Sequence, residues 1–139
     1  MANERKRRLR QTGRGGSRFV GIPEYVYKSE EFADLDGWGV KLLVEIAGRY
    51  NGFNNGDLSC AWSDLRTRGW RSTGTLWKAL RQLQDRRWIV TTRHGNRSRC
   101  ALYALTWAAI DECPGKGLET PPSRTASNAW QKSKVVPAM

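Results

Sequence analysis

Leu76, Ala79, Leu80 and Leu83 recur at the three-and-four spacing of a single helical face, and such a face must be buried. Ser72 stands just ahead of them, where its hydroxyl can accept a bond from an amide that the helix leaves free, so a helix is predicted to begin at Thr73. The opposite face carries Thr73, Thr75, Lys78, Arg81 and Gln82, all able to donate hydrogen bonds or positive charge. After Arg87 the period drops to two. Trp88–Arg93 and Ala101–Trp107 read as strands on either side of His94-Gly95-Asn96-Arg97-Ser98-Arg99, a tight hairpin with a basic tip.

Upstream, Asp36 can cap a helix running to about Tyr50, with Trp38, Leu42, Leu43, Ile46, Ala47 and Tyr50 as a broad apolar face. Ser29 can cap a short turn with Glu30 and Glu31 at its positive end. Phe19–Pro23 and Tyr25–Tyr27 read as an extended lead-in that packs on the domain. Asn51–Asp57 is a turn cluster, since Asn and Gly tolerate the left-handed backbone conformation. Leu58–Cys60 is expected to be a short strand joining the later hairpin. Ala61–Arg68 has one or two turns of helix with Trp62 and Leu65 inward, ended by Gly69. The order is short helix, Gly-containing turn of three or four residues, capped longer helix, which is the helix-turn-helix spacing. Ala108–Glu112 is expected to form a last helical turn.

Three stretches follow from composition. Residues 1–17 are charged, Gly-rich and almost without apolar side chains, so they are expected to be a disordered basic arm carrying Arg5, Lys6, Arg7, Arg8 and Arg10. Such an arm suits phosphates or a minor groove, or serves only to solubilise. Residues 18–113 hold six of the seven Trp and form the one folded domain. Residues 114–139, rich in Pro, Ser, Thr and Lys, are expected to be a flexible tail, with Trp130 docked back on the domain.

The net charge of +11 is unevenly distributed: +6 over residues 1–20, −4 over 21–57, +8 over 58–100 and +1 over 101–139. The excess on the arm and the helix-hairpin segment points to a polyanion, and nucleic acid is the natural one. No apolar run approaches the roughly 20 residues that span a bilayer, and no apolar segment follows the basic start. Cys60, Cys100 and Cys113 are odd in number and form no CxxC pair. A reduced cytoplasm without membrane attachment is the expected setting.

The chemistry of catalysis finds little footing, and the chain is expected not to be an enzyme. His94, the single histidine, sits among wing arginines with no Ser or Cys arranged around it, where it would touch a phosphate or shape the turn. Asp57 belongs to the turn cluster and Asp64 to a helix surface, so they are not read as a metal pair. The Asn-rich loop lacks the alternating carboxylates and closing Glu of a calcium loop. There is no Walker-type glycine loop. No cofactor and no metal are expected.

Phe19…Ile22-Pro23…Ser29, Leu42-Leu43, Tyr50–Ser59, Gly69-Trp70…Thr75-Leu76…Leu83 and Thr92-Arg93…Leu102–Thr106 together resemble winged helix-turn-helix proteins of bacteriophages, prophages and bacterial mobile elements. The resemblance implies an α+β domain, a three-helix core with a small antiparallel sheet and wing. It also implies duplex DNA binding by a transcriptional regulator or DNA replication accessory, nucleoid-associated in a bacterial cell. The recognition helix would use Arg71, Ser72, Thr73, Thr75, Lys78 and Arg81, the wing Arg93, Arg97 and Arg99, and the preceding helix Arg66 and Arg68. A protein-interaction module that inhibits a host nucleoprotein complex is the alternative, and RNA binding the third. Trp77 falls off the leucine stripe and is expected to be covered within the molecule, by the Tyr25–Tyr27 lead-in. A mate in a homodimer is the other candidate cover, and an uncovered Trp77 would mark an interaction patch.

Overall fold

The computed structural model describes residues 2–12 and 18–132, within which the fold is mixed α+β. Six helices, α1 (Ala2–Gln11), α2 (Glu24–Tyr27), α3 (Glu30–Ala33), α4 (Gly37–Arg49), α5 (Trp62–Leu65) and α6 (Thr73–Asp85), precede two antiparallel strands, β1 (Ile89–Arg93) and β2 (Leu102–Leu105). The caps fall where the sequence places them. The amide of Phe32 donates to Ser29 Oγ, that of Gly39 to Asp36 Oδ1 (2.7 Å) and that of Thr75 to Ser72 Oγ (3.1 Å).

α4 and α6 pack against each other and form the helical side of the core. Leu42, Leu43 and Ile46 of α4 and Leu83 of α6 are fully buried, with Leu76, Ala79 and Leu80 nearly so. Gly39 allows the close approach: a Cβ there would lie 2.4 Å from Gln82 Oε1. Gln82 uses that space to clamp the start of α4, accepting from the Asp36 amide and donating to Asp36 Oδ2 (2.9 Å). It is therefore a packing residue of α6, not part of the open face.

The strands pair Ile89 with Leu105, Val90 with Ala104, Thr91 with Tyr103 and Arg93 with Leu102, leaving Thr92 as a bulge. Leu58 joins on the far side of β2 through a two-bond bridge to Tyr103, as the expected third strand reduced to one residue. The bulge has a use: buried Thr92 donates its hydroxyl to the Gly56 carbonyl (2.6 Å), and its own carbonyl accepts the Glu119 amide (2.6 Å).

Four sequence expectations are corrected. Tyr25–Tyr27 are not extended. Pro23 pre-sets its own backbone angle as N-cap, and α2 forms so that Val26 is buried while both tyrosines remain exposed. Residues 108–112 are not helical, because their carbonyls and amides are drawn to Asn55 instead. Residues 2–11 form α1, built from the good helix formers Arg, Lys, Leu and Gln, where composition suggests disorder; residues 13–17 of that arm lie outside the described residues. The tail has no regular structure yet is strapped to the body as far as Lys132, residues 133–139 lying outside the described residues. Trp130 docks as expected: it is 3% exposed and stacked on Trp88 at 5.0 Å.

Asn55 holds these pieces in register. Fully buried, it donates from Nδ2 to the carbonyls of Leu105 (3.0 Å), Ala108 (3.1 Å) and Ala109 (3.0 Å), and accepts the Leu105 amide at Oδ1 (2.8 Å). Its backbone exchanges bonds with Asp111, the amide to Oδ2 and the carbonyl from the amide. Asn55→Ala strips partners from a buried amide and several carbonyls at once, so it should cost about 2–4 kcal/mol of stability. Urea denaturation checks this, and a loss below about 1 kcal/mol would mean that water replaces the side chain without penalty.

Candidate nucleic-acid interface

The basic segment between Leu58 and Cys100 divides into cations that the fold uses and cations that it leaves free. Arg66, Arg71, Lys78, Arg81 and Arg97 are exposed, and none of their side chains has a hydrogen bond or ion pair with the described residues. They lie on consecutive pieces of chain: the turns around Gly69, the outer face of α6, and the hairpin tip. Arg99 is also exposed, close enough to Glu119 to lower that carboxyl. Gly69, with φ of +84°, takes the left-handed conformation the turn requires, and buried Trp70 anchors it against Trp38 at 5.1 Å. The connection is longer than expected: α5 ends at Leu65, and Arg66–Gly69 are turns rather than helix.

Two predicted contact residues are committed elsewhere. Arg68 donates from Nε to both oxygens of Glu45 (2.9 and 2.8 Å), a carboxylate buried on α4. A buried carboxylate needs a charged partner, and Glu45 takes Arg68 along with Arg49 at 3.5 Å. Arg93 is half-buried and donates to the carbonyls of Cys100 (2.7 Å) and Lys116 (3.0 Å), tying the two legs of the hairpin to the strap. Both are scaffold arginines.

Hydroxyls around the start of α6 remain accessible. Ser72 and Thr73 are exposed; Thr75 is half-buried with its hydroxyl 3.1 Å from Ser72 Oγ. The hairpin tip is shaped by Asn96, whose Oδ1 accepts from the Ser98 amide and hydroxyl and from the Arg99 amide. His94 shapes the base instead: its amide donates to Glu119 Oε2, and its ring nitrogen lies 3.3 Å from Oε1. Arg5, Lys6, Arg7 and Arg8 are exposed along α1; the side chain of Arg10 lies outside the described residues.

Trp77 departs from expectation. It is 67% exposed, because Tyr25 and Tyr27 turn instead toward Trp130 and Phe32, at 6.1 and 6.0 Å. Neither tyrosine covers it. The outer face of α6 is thus cationic with an indole in its midst.

Among the described residues no group of three or more His, Cys, Asp or Glu could hold a metal ion, and no helix is long and apolar enough to cross a membrane. Cys60 is buried with its thiol pushed up to about 11 by burial, which keeps it a thiol near neutrality. Neither a protein-family model, a curated protein nor a solved structure matches the chain.

The strap that steadies the hairpin depends on two carboxylates. His94, through its amide and ring, holds Glu119 below its ordinary value, and the Lys132 ammonium at 2.8 Å does the same for Asp34. Because both folded-state values are lowered, their contribution is full above the ordinary carboxylate range and is lost as pH falls through the folded values. Near-UV circular dichroism of the Trp88–Trp130 stack should therefore weaken below about pH 4 before the far-UV signal does. Coincident loss of the two signals would show that these ion pairs do not hold the strap.

Proposed function

We propose that the protein binds double-stranded DNA as a winged helix-turn-helix module, with α6 in the major groove and the β1–β2 hairpin on the adjoining backbone. The observation that carries this is that Arg66, Arg71, Lys78, Arg81 and Arg97, on successive segments of the helix-turn-helix and hairpin, all have exposed and unpaired side chains. The chain order supports it: a core helix, a bridge strand, a one-turn helix, a capped helix and a hairpin follow one another, with Leu58 paired beside β2. Phosphate contacts supply affinity, and the exposed outer residues of α6 supply base readout. A regulatory or replication role in a mobile element is the biological setting that this activity fits.

Arg66, Arg71, Arg97 and Arg99 are the phosphate-contacting set, and Thr73, Lys78 and Arg81 the base-reading set. Counterion release by these four phosphate contacts predicts a plot of log affinity against log salt with a slope of about −3.6. Replacing Arg97 or Arg99 by Ala should weaken binding to all duplexes alike and reduce that slope by about 1 each. Changes at Thr73, Lys78 or Arg81 should alter the preferred sequence recovered from random duplex DNA. Arg68→Ala serves as the contrast: it should lower the melting temperature by uncovering Glu45, without moving the salt slope. Binding that is insensitive to salt would defeat the proposal.

A further inference from the structure

Trp77 is one helical turn beyond Thr73 and one before Arg81, so the three side chains line the same flank of α6. That flank faces the hairpin, as the bond from Gln84 Nε2 to Thr91 Oγ1 (3.3 Å) shows. On one side of the indole lies an apolar slot of about 240 Å³ walled by Trp62, Leu76, Leu80, Ala101 and Tyr103. On the other lies a hollow of about 390 Å³ formed with Lys78, Arg81 and Gln84. An exposed indole with an apolar slot on one side and the unpaired cations Lys78 and Arg81 on the other fits a ligand that is polyanionic and also presents a small apolar group.

The major groove offers that combination in one form. The methyl group on C5 of thymine, or of cytosine where that base is methylated, is the largest apolar group on its base edges. Resting on the duplex-binding reading above, we propose that Trp77 and its slot read the C5-methyl group of a pyrimidine, making the protein methyl-selective at one position of its site. Lys78 and Arg81 hold the flanking base edges, and the indole contributes contact area at little cost in side-chain ordering, having two rotatable bonds.

Four duplex polymers test this without knowledge of the natural site. Alternating poly d(A-T) is compared with poly d(A-U), which lacks only the methyl group, and poly d(G-C) with its 5-methylcytosine counterpart. The wild-type protein should bind the methylated member of at least one pair about fourfold more tightly, the factor expected for burying one methyl-sized group. Preference within the first pair assigns thymine, within the second 5-methylcytosine. Trp77→Ala should bring that ratio to about one, and Trp77→Phe should keep part of it, with far-UV circular dichroism confirming that both variants fold.

A wild-type ratio of one in both pairs overturns the proposal, as does a methyl preference that survives Trp77→Ala. A dimer seen by sedimentation and dissolved by Trp77→Ala also overturns it, by giving the slot to a second copy. The wild-type comparison decides even if a variant misfolds. Failure of the duplex reading looks different, since none of the four polymers would then bind in a salt-dependent way.

Discussion

A single buried amide governs how the hairpin sits on the helices. Asn55 lies outside every helix and strand, yet its side chain joins the loop after α4 to the end of β2 and to the chain reversal that follows. In a low-dielectric interior an amide bonded at both its oxygen and its nitrogen is rigid, because each alternative rotamer leaves a donor or acceptor unpaired. Gly56, next in sequence, has φ of +124° and passes its carbonyl to the Thr92 hydroxyl, so the same loop also grips the β1 bulge. The loop therefore sets the hairpin's position from both strands.

Glu45 and Glu119 perform a second task, separating arginines that build the fold from those that remain available. Glu45 claims Arg68, while Glu119 braces the hairpin base beside Arg93 and lies within the field of Arg99. Without Glu45, Arg68 would add another free cation to the turn, but the start of that turn would lose its tie to α4. Surface position and formal charge alone thus overstate the cationic face. The paired cations are spent on orientation, and the unpaired ones stand where that orientation puts them.

Local signals carried much of this architecture. Caps at Ser29, Asp36 and Ser72 and the stripe Leu76, Ala79, Leu80 and Leu83 each depend on neighbours in sequence, and each matches the fold; the strands after Arg87 form too, but the Thr92 bulge and burial along the whole of β2 break the two-residue alternation. What escaped depends on partners far along the chain. The engagement of Arg93 with Lys116 spans 23 residues, that of Asn55 with Leu105 spans 50, and that of Lys132 with Asp34 spans 98. Glu45 did leave a signal, as a lone acid between Leu43 and Ile46 that has to find a cation. Nothing in the sequence said which arginine would answer. The exposure of Trp77 followed from a distant cause too, since it was the helical form of α2 that took Tyr25 and Tyr27 elsewhere.

Rigidity at the base and freedom at the tips fits the duplex contact proposed above. Arg93, Glu119 and Thr92 fix the legs of the hairpin, and Asn96 fixes its turn, so little backbone entropy remains to be lost when a ligand arrives. The long side chains of Arg97, Lys78 and Arg81 still each lose up to about 2 kcal/mol of rotamer freedom on being held. Release of condensed counterions from the phosphates is an entropy gain that offsets such losses, and it is largest at low salt. An indole needs no such offset, since it has few rotamers to lose and is already held upright by the helix. The face therefore combines cations whose contribution to any polyanion contact fades with ionic strength and an apolar group whose contribution does not.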